Sequence, residues 1–146
     1  KDVHFLFVGP VEQGIMLPQG ANIEYVGQVD QSELPGHLKR MDLCTLPYAM
    51  TDRNQYANPT KVREYLAAGR GVVATKQPGL QDIQGEVSIA ETVDEYIAAL
   101  DTKLKELAAL APEDRETYRQ AIAAPMQHET WQARAHTLRA LIQSSN

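Results

Sequence analysis

The chain alternates short apolar runs with segments whose apolar residues recur at helical spacing. Val3–Val8 is nearly continuous in apolar character and stops at Gly9-Pro10, which predicts a strand buried on both faces and then a turn. Gly14, Pro18 and Gly20 mark residues 11–21 as loop, and Asn22–Gly27 reads as a second strand. Asp30 and Glu33 form a capping pair ahead of Leu34, Leu38 and Met41, which predicts a short helix with Pro35 in its first turn. Asp42–Pro47 is a third strand, followed by a polar loop from Tyr48 to Ala57. A helix is expected from Pro59 to about Ala68, closed by Gly69, then a strand over Gly71–Thr75. Gln77–Gly85 reads as turn and loop, and Glu86–Ala90 as a fifth strand. From about residue 92 the chain turns helical. Val93, Ile97, Leu100, Leu104 and Leu107 make one stripe, Pro112 opens a further helix, and Trp131, Leu138 and Leu141 mark the last.

Strands alternating with helices favour an α/β fold with a parallel sheet flanked by helices over a sandwich or a bundle. The late helices are expected to pack on that sheet or to reach towards another partner. A length of 146 residues is that of about one domain. Because the chain opens inside a strand, it reads as an excised fragment.

Composition narrows the function. At 43% hydrophobic and 23% charged the chain is neither disordered nor fibrous, and it contains no apolar run of membrane-spanning length. The net charge of -5 falls on the later half, and no basic stripe offers a nucleic-acid surface. The one cysteine, Cys44, lies in an apolar run and is expected to be a small buried hydrophobe. His4, His37, His128 and His136 are scattered without metal-ligand spacing.

The chemistry concentrates in LPYAMTDRNQYANPTKVREYLAAGRGVVAT. Asn58 suits a helix N-cap, and Pro59 suits a first helical position, where its missing N–H has no partner to lose. The amides of Thr60 and Lys61 then face the carboxyl edge of the sheet, where open α/β folds bind ligands. Free amides, the helix dipole and the Lys61 ammonium together suit a diphosphate. Glu64, one turn inside, could accept hydrogen bonds from two vicinal ribose hydroxyls. The same residues also fit an ordinary helix start with a Lys61–Glu64 surface ion pair, and spacing does not choose between the two. Tyr65 and Leu66 are expected in the core, and Gly69 and Gly71 in turn geometry. Neither a dinucleotide fingerprint nor a GxxxxGK[ST] loop is present.

The stretches VHFLFVGP, NIEYVGQVDQSELPGHLKRMDLCTLPY, NPTKVREYLAAGRGVVAT and ETWQARAHTLRALI, in this order, resemble the carboxy-terminal, donor-binding half of a retaining glycosyltransferase of the group 1 family. Those enzymes have two facing Rossmann-like domains, the GT-B arrangement. The resemblance implies that residues 1–146 are a partial Rossmann-like donor domain lacking its first strand and helix. It places Glu64 on the donor ribose, and Asn58, Pro59, Thr60 and Lys61 nearest the diphosphate. Gly9 and Pro10 would border the nucleotide, Asp52 to Asn58 the sugar, and Tyr25–Val29 the base. The family's earlier glutamate is replaced by Tyr56, which leaves donor-sugar recognition open.

The resemblance further implies a nucleotide-diphosphate sugar as donor substrate, with no separate cofactor or metal. The acceptor-binding half, with any catalytic residue on it, would be a missing partner, so no catalytic residue is assigned here. The fragment alone is expected to be inactive, and its exposed sheet edge to favour self-association. The intact protein is expected in the cytoplasm, peripheral to the inner membrane, in polysaccharide assembly. A non-catalytic α/β binding or interaction module remains the alternative. A sugar-phosphate epimerase, which would need acid-base carboxylates and histidines around its cleft, is a third.

Overall fold

The computed structural model describes residues 3–49, 51, 54, 58, 60–83 and 87–144. Among the described residues five strands interspersed with two α-helices are followed by three further α-helices, in the order anticipated. They are β1 Phe5–Val8, β2 Ile23–Gly27, α1 Leu34–Arg40, β3 Leu43–Leu46, α2 Thr60–Ala67, β4 Gly71–Thr75, β5 Val87–Ala90, α3 Val93–Ala109, α4 Asp114–Ala123 and α5 Trp131–Ser144. Short 3-10 helices add Pro78–Ile83 and Ala124–Glu129. The strands form two parallel sheets, β1-β2 and β3-β4-β5, and the chain divides into compact units at Met41/Asp42. Parallel pairing with intervening helices is the Rossmann-like α/β pattern. Among the described residues β1 is paired on one side only, by β2, and β3 on one side only, by β4.

In the first unit β1 runs beside β2 with Phe5 opposite Ile23 and Phe7 opposite Tyr25. The Phe7 and Tyr25 rings stack at 4.8 Å. Burial of β1 on both faces is corrected: Phe5 and Phe7 are nearly half exposed. A two-stranded sheet has too little neighbouring structure to cover both faces of a strand. The capping pair forms in part. Asp30 N–H donates to Glu33 Oε2 at 3.1 Å, while Asp30 Oδ1 accepts from Ser32 N–H rather than from a residue farther on.

The core lies in the second unit. β4 is its centre, because Val72, Val73 and Ala74 are all at most 1% exposed although successive residues point to opposite faces. α2 and α3 both pack on β4, and α2 also meets α4 and the 3-10 segment Ala124–Glu129. Leu66 is fully buried and Tyr65 half-buried, as expected, and Cys44 is buried. Burial pushes the Cys44 thiol up to about 12, against a smaller opposing effect of Arg70.

α2 ends as its sequence requires. Gly69 N–H donates to the Leu66 carbonyl at 2.8 Å and Arg70 N–H to the Tyr65 carbonyl at 3.0 Å, the paired bonds of a Schellman turn, with Gly69 at φ +69°. Gly71 is not a turn residue. It is the first residue of β4, packed beside Leu43 and Tyr118.

The stripe proposed for α3 is rotated. Val93 and Ile97 are exposed, whereas Tyr96, Leu100, Leu104 and Leu107 are half-buried. The Tyr96 hydroxyl donates to the Val73 carbonyl at 3.3 Å and pins the helix start to β4. α5 turns its apolar side outwards, with Trp131 86% exposed and Leu138 and Ile142 both 60% exposed.

Candidate functional site

The second unit brings four of the expected residues together. α2 returns directly into β4 through Ala68–Arg70, so its carboxyl end lies at the amino edge of that strand and its amino end at the carboxyl edge. That puts Asn58, Thr60, Lys61 and Glu64 beside the edge where parallel sheets take ligands. All four are exposed. Pro59, Tyr56 and most of Asp52–Ala57 lie outside the described residues. The same edge is drawn together from the other side: the Thr75 hydroxyl, at the end of β4, donates to the Tyr48 carbonyl at 2.9 Å, just beyond β3.

Lys61 and Glu64 form no ion pair with each other, and neither side chain has a hydrogen-bond partner among the described residues. The surface-pair reading of these two residues therefore has no contact behind it. The first turn of α2 contains no acidic residue, while α3 carries Asp94 and Glu95 there and α4 carries Asp114 and Glu116. An amino end whose Thr60 and Lys61 amides have no capping bond among the described residues, with a lysine and no carboxylate in its first turn, suits an anion.

Asn58 has a different partner from the one expected. Its Oδ1 accepts from Arg63 Nη1 at 3.1 Å, and no bond from the Thr60 or Lys61 amide to Oδ1 is among the described hydrogen bonds. Arg63 Nε in turn donates to Glu129 Oε2 at 3.3 Å, and the same oxygen accepts from Arg134 Nη2. The Arg134 guanidinium, then Arg63, hold the Glu129 carboxyl below its ordinary range. Sequence reasoning passed over Arg63 and Glu129 because their contact spans 66 residues, and no local pattern encodes it. It also passed over Gln77, taken as loop, which is buried just beyond β4 with its side-chain oxygen unpartnered.

Gly9 and Pro10 follow β1 in the first unit. Gly9 has φ +136° and donates its N–H to the Gly27 carbonyl at 2.8 Å, so the turn out of β1 is tied to the end of β2. Nearby, Glu24 accepts from Arg40 Nη2 at 2.6 Å, and that bond lowers its carboxyl from the ordinary value. These residues and the α2 site belong to different units.

Among the described residues no group of three or more His, Cys, Asp or Glu side chains is placed to hold a metal ion. No helix among them is long and apolar enough to cross a membrane.

The chain is 33% identical over 91 residues to "Putative teichuronic acid biosynthesis glycosyltransferase TuaH" of Bacillus subtilis (strain 168). The aligned part covers 57% of this chain and 22% of that relative, so the chain spans about a fifth of its length. Residues 1–110 match the family described as Glycosyl transferases group 1, and over that three-quarter span the chain belongs to the group 1 glycosyl transferases.

Proposed function

We propose that this chain is the donor-binding half of a retaining glycosyltransferase and that α2 carries its nucleotide-sugar site. The observation that supports this most directly is the pair Lys61 and Glu64, exposed and without a side-chain partner among the described residues, at the amino end of a helix on the carboxyl edge of a parallel sheet. In this reading the Thr60 and Lys61 amides and the Lys61 ammonium bind the diphosphate, with Asn58 and Pro59 beside it. Glu64 accepts from the ribose hydroxyls. The bond from the anomeric carbon to the diphosphate oxygen breaks, and the acceptor hydroxyl oxygen takes its place with retained configuration, its proton passing to the leaving diphosphate. Negative charge grows on the leaving diphosphate, and fixed amides with a cation stabilise it without reorganising. Glu64 contributes positioning and ground-state affinity.

The intact protein would supply the acceptor half and any catalytic group on it, and residues 1–146 alone would be inactive. Among the described residues β1 and β3 are each paired on one side only, and an open strand edge can pair with another chain, which supports self-association. We place the intact protein in polysaccharide assembly, a reading that the relative's name supports, and in the cytoplasm at the inner membrane.

Titration of the intact protein with UDP-, GDP-, dTDP- and ADP-sugars, repeated with Glu64→Ala, tests the site. We expect one donor to bind and the variant to bind it at least about tenfold more weakly, the effect of losing hydrogen bonds to a charged group. Equal affinity in wild type and variant would remove Glu64 from the site. The second reading, a non-catalytic interaction module, draws on the outward apolar side of α5. It predicts that no donor in the panel binds.

A further inference from the structure

We propose that Arg63, held by Glu129 and Arg134, is a positioning residue for the diphosphate end of α2 and acts through Asn58; this rests on the donor-site reading above.

The guanidinium works as a two-armed brace. One nitrogen, Nη1, reaches back over the start of the helix to Asn58 Oδ1 at 3.1 Å. The other, Nε, reaches out of the helix to Glu129 Oε2 at 3.3 Å. A planar fork can serve two acceptors in different directions at once, which a lysine ammonium on a flexible stem does not reproduce. The pair is partly shielded, with the Arg63 side chain 19% and the Glu129 side chain 31% exposed. It is therefore less dissipated by water and salt than an open surface pair.

The far end of the brace is also fixed. Glu129 closes the 3-10 segment Ala124–Glu129, and its Oε2 also accepts from Arg134 in the first turn of α5. Thr130 anchors that turn, with its Oγ1 accepting from Ala133 N–H at 3.1 Å and its carbonyl from Arg134 N–H at 3.0 Å. A carboxylate between two guanidinium groups has little freedom to rotate, so it sets where Arg63 points.

The near end is where function enters. Asn58 precedes the first free amides of α2 by two and three residues. Holding its side chain fixes the backbone that aims the Thr60 and Lys61 N–H groups. With Nε and Nη1 engaged by Glu129 and Asn58, the role given to Arg63 is exercised through Asn58 rather than by touching the donor. Its effect is on the aim of groups that do make contact, and small errors in aim are amplified in binding and rate.

The test titrates the intact protein with UDP, GDP, dTDP and ADP and follows whichever wild type binds best. The variants are Lys61→Ala, Arg63→Gln, Asn58→Ala and the double Asn58→Ala/Arg63→Gln. Arg63→Gln is expected to weaken binding about tenfold, the equivalent of one charge-assisted hydrogen bond lost from the site. Asn58→Ala should do the same, and the double variant should bind no worse than either single one, because the two residues act in series. Arg63→Lys should not restore affinity. Should Arg63→Gln fail to fold, Glu129→Gln, which frees the brace at its far end, is expected to weaken binding about threefold. Unchanged affinity in Arg63→Gln, or losses that add in the double variant, would overturn the positioning role. Failure of the underlying reading looks different: no nucleotide binds wild type, or Lys61→Ala binds as wild type does. A loss in Lys61→Ala with none in Arg63→Gln sinks the brace alone.

Discussion

At Gly69 an added methyl group meets little room, and Gly69→Ala is expected to destabilise the second unit by about 2–3 kcal/mol. Two effects combine there. The residue has φ +69°, a left-handed conformation that costs an L side chain about 1–2 kcal/mol. A Cβ would also stand 2.8 Å from the Arg119 carbonyl oxygen and 3.0 Å from its Cβ, so the turn or α4 must move. Overpacking of that kind costs about 1–3 kcal/mol. The gain from restricting the unfolded chain offsets only about 0.4–1 kcal/mol. Urea denaturation of the intact protein, followed through amide protection of α2 and β4, measures the loss. Gly69→Asn separates the two causes, because asparagine tolerates the left-handed backbone but keeps the Cβ. If contact with α4 dominates, the asparagine variant is destabilised nearly as much as the alanine one. Should alanine cost less than about 0.5 kcal/mol, the size of an ordinary surface substitution, the close approach of α4 to this turn would be refuted.

Titration of buried acids gives a second expectation. The Cys44 thiol ordinarily ionises near 9.0 and burial pushes it to about 12 in the folded chain. The unfolded chain therefore releases this proton first, and stability falls as pH rises from about 9 towards about 12. Tyr65, pushed from 10.0 to about 12 chiefly by burial, adds to the decline at the top of that window. Chemical denaturation at pH 8.5 to 11 should show the midpoint dropping, with a shallower drop in Cys44→Ala; identical slopes would sink the assignment. The same thiol should resist alkylation at pH 8 until the chain unfolds. Glu64→Ala and Lys61→Ala should leave the unfolding free energy within about 0.5 kcal/mol of wild type while weakening donor binding, since both side chains are exposed. Trp131, the single tryptophan and 86% exposed, should emit as a water-bathed indole and be readily quenched by acrylamide in residues 1–146 alone. A shielded, blue-shifted emission there would mean that α5 packs by its apolar side.

The parts legible in the sequence were those governed by neighbours along the chain. Pro35 in a first turn, the Gly69 stop and the apolar run of β4 each act over a few residues and located their elements closely. Lys61 and Glu64 stood out because helix direction and sheet edge follow from chain order alone. What failed depended on partners far away in sequence. β1 looked wholly buried because its composition is apolar, but burial needs covering layers, and one neighbouring strand does not supply them. The buried side of α3 was misjudged because Val93 and Ile97 keep helical period with Leu100 and Leu104, while Tyr96, bound to Val73, turns the helix. Arg63 looked like one more charge on a helix. Its meaning lies in Glu129, which periodicity cannot reach.

That last contact sets a schedule for synthesis. The Arg63–Glu129 bond closes over 66 residues, so the start of α2 must wait for most of the second unit before its brace exists. At about 5–20 residues per second the delay on the ribosome is about 3–13 s, longer than a helix needs to form by orders of magnitude. Throughout that interval Asn58 has no fixed Arg63 to hold it, and the amino end of α2 is braced last although its residues are made early. A chain cut short before Glu129 would carry the NPTK sequence in full and still lack the means to aim it.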